Sequence, residues 1–306
     1  MGTPLAADLN GDGTVDFRDA RIVGAEWLRS DYTAPPLLSW YKLDGNGLDS
    51  SGNNHHADPC SDPGGRVPLY AASMPGFTTA VDVNGGGDCL ISPGAGAYMN
   101  GLDAVTIMAW IKSDIVGTDK GFLDFQTPNG NDSRDLRYDA AGASGGGVNV
   151  IKVGVTTTAG EQKLESQSNV QTTNWQHVAI TWSSGQNIKL YIDGVENAPT
   201  WREATRLGTL TGYSTLHIGK GAKDNSPASS WAGLIDDVRI YDKALTPAEL
   251  SSVLNGTLGT VSNYHPLVSP ANLSDNEPTN AKIVNFRDLA VMLSQWRQWQ
   301  LWPQWF

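Results

Sequence analysis

The chain has no stretch of about 18 consecutive apolar residues, so no segment of it reads as a membrane-spanning helix. Basic residues are few: 21 Lys and Arg stand against 32 Asp and Glu, giving a net charge of -11 and a pI of about 4.8. A phosphate backbone would be repelled by such a chain, which argues against nucleic acid as a partner. Neither a Gly-x-Ser-x-Gly elbow nor a phosphate-cradling glycine loop occurs, so two common catalytic frameworks are missing. No secretory signal heads the sequence, and this says nothing about where the protein works. Cysteine is limited to Cys60 and Cys89, in Gly-, Pro- and Asp-rich loops that could face each other across a hairpin. They form either a disulfide, which suits an oxidising compartment, or two partly buried thiols.

Glycine and proline are plentiful instead, 34 and 16 residues, while 40% of the chain is apolar and only 17% charged. That composition predicts a loop-rich, mainly β protein able to bury at least one full-sized core. Runs with a hydrophobic period of two recur at residues 38–43, 80–83, 89–92, 105–112, 121–125, 148–155, 175–182, 188–192, 215–219 and 232–241. Short strands at such spacing predict a two-sheet sandwich or jelly roll. Val105 to Lys112 is apolar on both faces, as a central, doubly covered strand would be. Thr246-Pro247-Ala248-Glu249 has the residues of a helix start, and Gly256 stops that helix.

The two ends read differently. Residues 8–19, Asp8-Leu9-Asn10-Gly11-Asp12-Gly13-Thr14-Val15-Asp16-Phe17-Arg18-Asp19, space their oxygen-bearing side chains as a calcium loop does. Asp8, Asn10 and Asp12 fall at loop positions one, three and five, and Thr14 offers its carbonyl at seven. Asp16 serves at nine, Asp19 at twelve, and Gly13 permits the sharp turn. Carboxylates this close repel one another without a cation, so Ca2+ is the expected cofactor. A short amphipathic helix follows over 20–28 with Trp27 on its apolar face. At the other end Val284-Asn285-Phe286-Arg287-Asp288 repeats Val15-Asp16-Phe17-Arg18-Asp19, and a Trp follows the final Asp at the same distance in both copies. The second copy has Glu277, Thr279, Ala281 and Lys282 where the first has Asp8, Asn10, Asp12 and Gly13, which predicts a helix there without a tight calcium site. That helix starts near Phe286, carries Leu289 and leads into Trp296, Trp299, Trp302 and Trp305, an aromatic series suited to an interface. The organisation expected is a calcium loop and helix at 1–29, a jelly roll at 37–256, a linker at 257–283 and a helix with a Trp-rich tail at 284–306.

Two resemblances follow. Leu38-Ser39-Trp40-Tyr41-Lys42-Leu43-Asp44, Asp49-Ser50-Ser51-Gly52-Asn53, Val105 to Ile111, Trp175-Gln176-His177-Val178-Ala179, Leu190-Tyr191-Ile192-Asp193-Gly194 and Gly233 to Tyr241 with Ala244-Leu245-Thr246 resemble, in order, a laminin-G-like, concanavalin A-type jelly-roll domain. The two ends resemble the calcium-binding halves of a type I dockerin, split here by the inserted jelly roll. The first resemblance implies a second calcium between the loop after the first strand and the last long strand, where Asp49 and Asp236 are the matching carboxylates. A capped turn and a buried hydrogen-bonded Asp account for the same two residues. Glucanases of this shape carry a Glu-x-Asp-x-x-Glu strand that the chain lacks. Asp236 and Asp237, adjacent on a strand, should point to opposite faces and share no proton. His55 and His56 have no third metal ligand at useful spacing.

The expected protein is therefore a non-catalytic, extracellular or cell-surface, calcium-stabilised structural module. Its complementary halves would join copies head-to-tail into filaments. Alternatives are a carbohydrate-binding or adhesion module, with Trp201, Trp231, Tyr213 and Tyr98 available to stack on glycans or to cover the core edge, and a closed dockerin docking on a cohesin-like partner.

Overall fold

The structure, a computed structural model, describes residues 9, 14–25, 37–60, 67–126, 134–143, 145–220, 229–255 and 286–294. The chain divides into a unit of Pro35–Pro247 and a smaller one formed by Met1–Ala34 with Ala248–Phe306. Helix α1 (Phe17–Ala25) comes first and belongs to the smaller unit. The larger unit opens with β1 (Leu37–Tyr41), β2 (Asp58–Pro59), β3 (Leu69–Ala72), β4 (Thr79–Asn84), β5 (Leu90–Ser92) and a one-turn helix α2 (Gly96–Met99). It continues with β6 (Ala104–Ser113), β7 (Lys120–Gln126), β8 (Asp135–Asp139), β9 (Val150–Thr157), β10 (Gly160–Glu165) and β11 (Gln176–Ser183). Strands β12 (Lys189–Ile192), β13 (Val195–Asn197), β14 (Trp201–Arg202), β15 (Thr215–Ile218) and β16 (Ala232–Tyr241) complete it; α3 (Pro247–Leu254) and α4 (Phe286–Ser294) follow.

Two antiparallel sheets result. One runs β13-β12-β11-β6-β16-β4-β3 with β1 also on β16, and the other runs β14-β10-β9-β8-β7-β15-β5-β2. Their inner faces make the core: Val105, Ile107, Ala109 and Ile111 of β6 with Val178, Ile180 and Trp182 of β11 belong to one buried cluster with Leu136, Tyr138, Ile151 and Val153 of the second sheet. Trp231 lies in this cluster, edge-on to Phe122 and Tyr138 at 5.5 and 5.0 Å. The Trp182 indole N–H, buried with the rest, donates to Gln162 Oε1 at 3.1 Å. β6 is central, between β11 and β16, and its outward Met108 is fully buried, in line with its apolar sequence on both faces.

Local chemistry sets the connections. Asp193 and Gly194 both take positive φ, 50° and 80°, in the two-residue turn joining β12 to β13, the conformation that a tight hairpin needs. A bulge between Asp236 and Arg239, with Asp237 at φ 47°, interrupts β16. The strict alternation expected of Asp236 and Asp237 therefore fails; the backbone N–H of Asp237 donates to Asp236 Oδ1 at 2.8 Å. Cys60 and Cys89 form a disulfide beside the β2–β5 pairing. Strands β2, β3, β8, β10, β13 and β14 were not legible as strands, because β8 and β10 place charged residues at alternate positions and the others are short.

His177 on β11 is buried, T-shaped to Trp110 at 5.2 Å, with Nδ1 unpartnered. Burial, with the Arg239 charge adding to it, pushes its pKa down to about 3. The unfolded chain takes up this proton below its ordinary 6.5 and the folded one does not until about 3. Stability is thus complete above pH 6.5 and lost as pH falls, on the order of 2–3 kcal/mol by about pH 4. Urea unfolding should show that loss in the native chain and a flatter pH dependence in His177→Gln. The disulfide closes a loop of sequence separation 29. Replacing both cysteines by Ser should cost about 3–4 kcal/mol in the same assay.

Candidate functional site

In the smaller unit the N-terminal loop leads into α1. Asp16 caps the helix: its carbonyl accepts from Ala20 N at 3.1 Å and its Oδ1 from Arg18 N at 2.8 Å. This cap starts the helix at Phe17, three residues ahead of the expected start. Asp19 is fully buried, and its carboxylate turns back across the loop. Oδ1 accepts from Leu9 N at 2.7 Å and Oδ2 from Asp16 N at 2.8 Å, so one side chain ties the two ends of the loop together. Thr14 is half-buried beside the fully buried Val15. Asp8, Asn10 and Asp12 lie outside the described residues, as do Trp27, Trp296, Trp299, Trp302, Trp305 and the second copy's Glu277 to Lys282. The donor set is hard oxygen throughout and a position-twelve carboxylate faces the loop, which fits calcium. A bound ion would neutralise these carboxylates and cross-link the loop. Helix α4 begins at Phe286, the same motif position at which α1 begins at Phe17, and both run for nine residues. The two helices lie against each other in this one chain. Leu289 is half-buried and Met292 fully buried.

The larger unit carries a charged face. β8 and β10 turn charged residues outward at alternate positions, β9 adds Lys152, and cross-strand register lines up Trp201, Glu165, Lys152 and Arg137 as one row. A parallel row holds Ile91, His217, Asp124 and Asp135, and Lys163 opposite Gly154. Arg137 bridges Asp135 at 2.8 Å and Asp139 at 3.0 Å; Lys152 reaches Glu165 at 3.1 Å and Asp139 at 3.7 Å. The pairing outweighs the burial of Arg137 and holds its pKa up. Burial also acts on Asp139, but Gly142 N–H and Arg137 hold its carboxyl below the ordinary range. Among the described residues, three buried polar atoms here have no hydrogen-bond partner: Arg137 Nε, Glu165 Oε2 and Glu203 Oε2. Glu203 N donates to Lys163 O, which continues the ladder beyond Trp201. Gly154 leaves a gap in the array, and Trp201 stands half-buried at its edge with Lys152 Nζ 5.8 Å from the ring. A glycine-rich turn closes over Glu165: Ala143 N donates to Oε1 at 2.5 Å, and a Cβ on Gly146 would collide with Oε2.

The remaining expected sites are placed as follows. Asp49 organises its own turn, accepting from Trp40 N, Ser51 N, Ser51 Oγ and His55 N at 2.8 to 3.0 Å. Burial opposes its charge, yet those N–H donors hold its carboxyl below the usual range. Asp236 accepts from Ser73 Oγ at 2.5 Å, and burial, with Asp237 and Asp44 nearby, pushes it to about 7. The two carboxylates thus sit in different hydrogen-bond sets, and Trp40 connects Asp49 to Asp237, whose carboxylate accepts from its indole at 2.6 Å. Among the described residues no three His, Cys, Asp or Glu side chains are grouped to hold a metal. His56 Nδ1 accepts from Asp49 N at 3.0 Å, and His55 stacks on Tyr98 at 4.1 Å. Trp231 and Tyr213 are buried core residues, so as glycan platforms they are corrected; Trp201 keeps a partly open ring and Tyr98 is covered by His55. The charged face was missed in the sequence, although Asp135-Leu136-Arg137-Tyr138-Asp139 alternates with period two.

The model of the concanavalin A-like lectin/glucanases superfamily matches residues 84–251, more than half of the chain. The chain belongs to that superfamily. Among curated proteins, 174 residues are 25% identical to the sushi, von Willebrand factor type A, EGF and pentraxin domain-containing protein 1 of Rattus norvegicus, covering 55% of this chain and 4% of that protein. Another 85 residues are 26% identical to the adhesion G-protein coupled receptor D1 of Homo sapiens, covering 28% of this chain and 10% of the receptor. The chain thus matches only a small part of either relative. Domain 4 of AbnA, an extracellular GH43 arabinanase from Geobacillus stearothermophilus solved with arabinotriose, superposes with a TM-score of 0.53 at 20% identity, covering 72% of this chain and 100% of that one. The receptor-binding domain of botulinum neurotoxin mosaic serotype C/D superposes with a TM-score of 0.51 at 17% identity, over 72% of this chain and 51% of that one. A structure of botulinum neurotoxin type C, whose cell entry depends on two ganglioside molecules, gives 0.50 at 15% over the same shares. At these identities the superpositions show the shared fold.

The superfamily match begins at residue 84 and so leaves the calcium loop to be tested on its own chemistry. Calcium at a hundredfold excess over its Kd should stabilise the native chain by about 2.7 kcal/mol. Asp8→Ala combined with Asp12→Ala should abolish the calcium-dependent rise in Tm, and Asp19→Ala should lower Tm even under chelator because it also unties Leu9 from Asp16. An unchanged calcium shift in the double variant would refute the site.

Proposed function

We propose that this protein is a non-catalytic, extracellular carbohydrate-binding module whose ends form a calcium-stabilised clasp. The observation that carries the reading is the outer face of the second sheet, where a half-buried Trp201 stands at the edge of a row of paired charges, Glu165, Lys152 and Arg137. The partly open side chains of Lys152 and Arg137 can donate to vicinal hydroxyls of a sugar, while its apolar ring face covers the indole. The arabinotriose held by the AbnA domain and the gangliosides required by the type C neurotoxin support this reading by analogy of fold. The face is unsuited to glycoside hydrolysis, because Arg137 and Lys152 hold Asp135, Asp139 and Glu165 in ion pairs and Asp139 is kept below the ordinary carboxyl range, whereas a general acid must hold a proton at working pH.

The contact of α1 with α4 within one chain favours a clasp closed on itself over the head-to-tail filament. A closed clasp is also the form in which a dockerin-like unit would meet a cohesin-like partner. A glycan array probed in calcium should show binding to neutral oligosaccharides. Trp201→Ala should weaken that binding about tenfold or more with Tm unchanged. Background signal across the array would refute the carbohydrate reading.

A further inference from the structure

The opposite sheet has a cavity that the charged face does not use. It measures about 310 Å³ and is lined by Thr181, Ser183, Gln186, Asn187, Lys189 and Tyr191 together with chain segment 244–247. Its floor is the outward face of the β11–β12 hairpin, where Thr181 pairs with Lys189 and Ala179 with Tyr191. Its wall is fixed by one buried hydroxyl. Thr106 Oγ1 donates to Lys243 O at 2.6 Å and accepts from Leu245 N at 2.8 Å, so the segment leaving β16 is clamped before any ligand arrives. Such preorganisation lowers the ordering cost of binding.

The lining restricts the ligand. Among the described residues it mixes hydroxyls and carboxamides with the apolar Leu245 and Pro247, and holds no carboxylate and one ammonium that Glu196 already pairs at 3.2 Å. A divalent cation would find no anionic oxygen there. A phosphate would find a single, compensated positive charge on a chain of net charge -11. An aliphatic ligand would leave the carboxamides of Gln186 and Asn187 facing it without partners. The volume lies at the small end of ligand pockets. We propose that this cavity is a second binding site, for a short neutral polyhydroxyl ligand such as the end of an oligosaccharide. The proposal rests on the cavity's own chemistry and is independent of binding at the charged face.

The test is an NMR titration of the full chain with maltotriose, cellotriose, xylotriose and arabinotriose at millimolar concentration, reading the side-chain amide signals of Gln186 and Asn187 and the indole signal of Trp201. At least one trisaccharide should shift the Gln186 and Asn187 signals saturably. Gln186→Ala with Asn187→Ala, both on an exposed turn, should weaken that binding about tenfold, followed at the Tyr191 backbone amide. In Trp201→Ala the pocket titration should be unchanged. The proposal is overturned if no trisaccharide shifts the two amides, if the double variant binds as the native chain does, or if Trp201→Ala removes the pocket shifts. The charged face can fail in this experiment while the pocket succeeds, and the reverse.

Discussion

The long-range ladder made by β16 is the constraint on which the sandwich depends. On one side the strand pairs with β6; on the other it pairs with β4 through Ala232–Ile235 and with β1 through Val238–Tyr241. One strand near the end of the unit therefore unites its earliest strands. Loop closure over nearly the whole unit must precede that pairing, which makes the fold slow to assemble and cooperative once assembled. The bulge in β16 redirects consecutive carboxylates to useful partners, Asp236 to Ser73 and Asp237 to Trp40 and Arg239. Trp40 in turn lies 4.5 Å from Lys42 Nζ and 4.4 Å from the Arg239 guanidinium, so the first strand is fastened to the last by electrostatics as well as by the ladder.

The second sheet depends on this frame but has a different outer face. A half-covered network of acids and cations contributes little net stability, since desolvation offsets most of the attraction between its charges. Leaving Arg137 Nε and Glu165 Oε2 without partners makes the balance worse. Apolar residues at the same outward positions would suit a purely structural sheet better. The glycine-rich turn over Glu165 points the same way: Gly146 has no room for a Cβ, and a flexible residue is retained where it costs backbone entropy. Local arrangements that work against stability concentrate at sites that bind.

The fold was legible because its central strands are apolar and β-branched, and ten strand runs met their counterparts within a few residues. What stayed hidden had physical reasons. Period-two alternation in β8 and β10 is carried by charged residues, so the polar face disguised its own strands. The same disguise hid the candidate site, whose members come from β8, β9, β10 and β14 and meet only through the cross-strand register. For Trp231 and Tyr213 the sequence left open glycan stacking or covering the core edge, and the edge-on contacts of Trp231 with Phe122 and Tyr138, and of Tyr213 with Phe125, decide for the core. The sequence left Cys60 and Cys89 between a disulfide and two thiols, because what decides for the disulfide is the β2–β5 register that brings them together.

The same ladder bears on the ends of the chain. Leu37 pairs with Tyr241, so the segments that leave the sandwich toward its two termini depart from neighbouring positions. Closure entropy grows only with the logarithm of the segment lengths, and here the common starting point has already removed most of it. The remaining term for bringing α1 onto α4 within a chain is small compared with the translational and rotational freedom two separate chains would surrender for the same contact. Association between chains would thus have to supply contacts beyond those two nine-residue helices. A repeat split across 269 positions looks at first like a means of joining copies; the pairing of Leu37 with Tyr241 favours the proposed clasp within one chain.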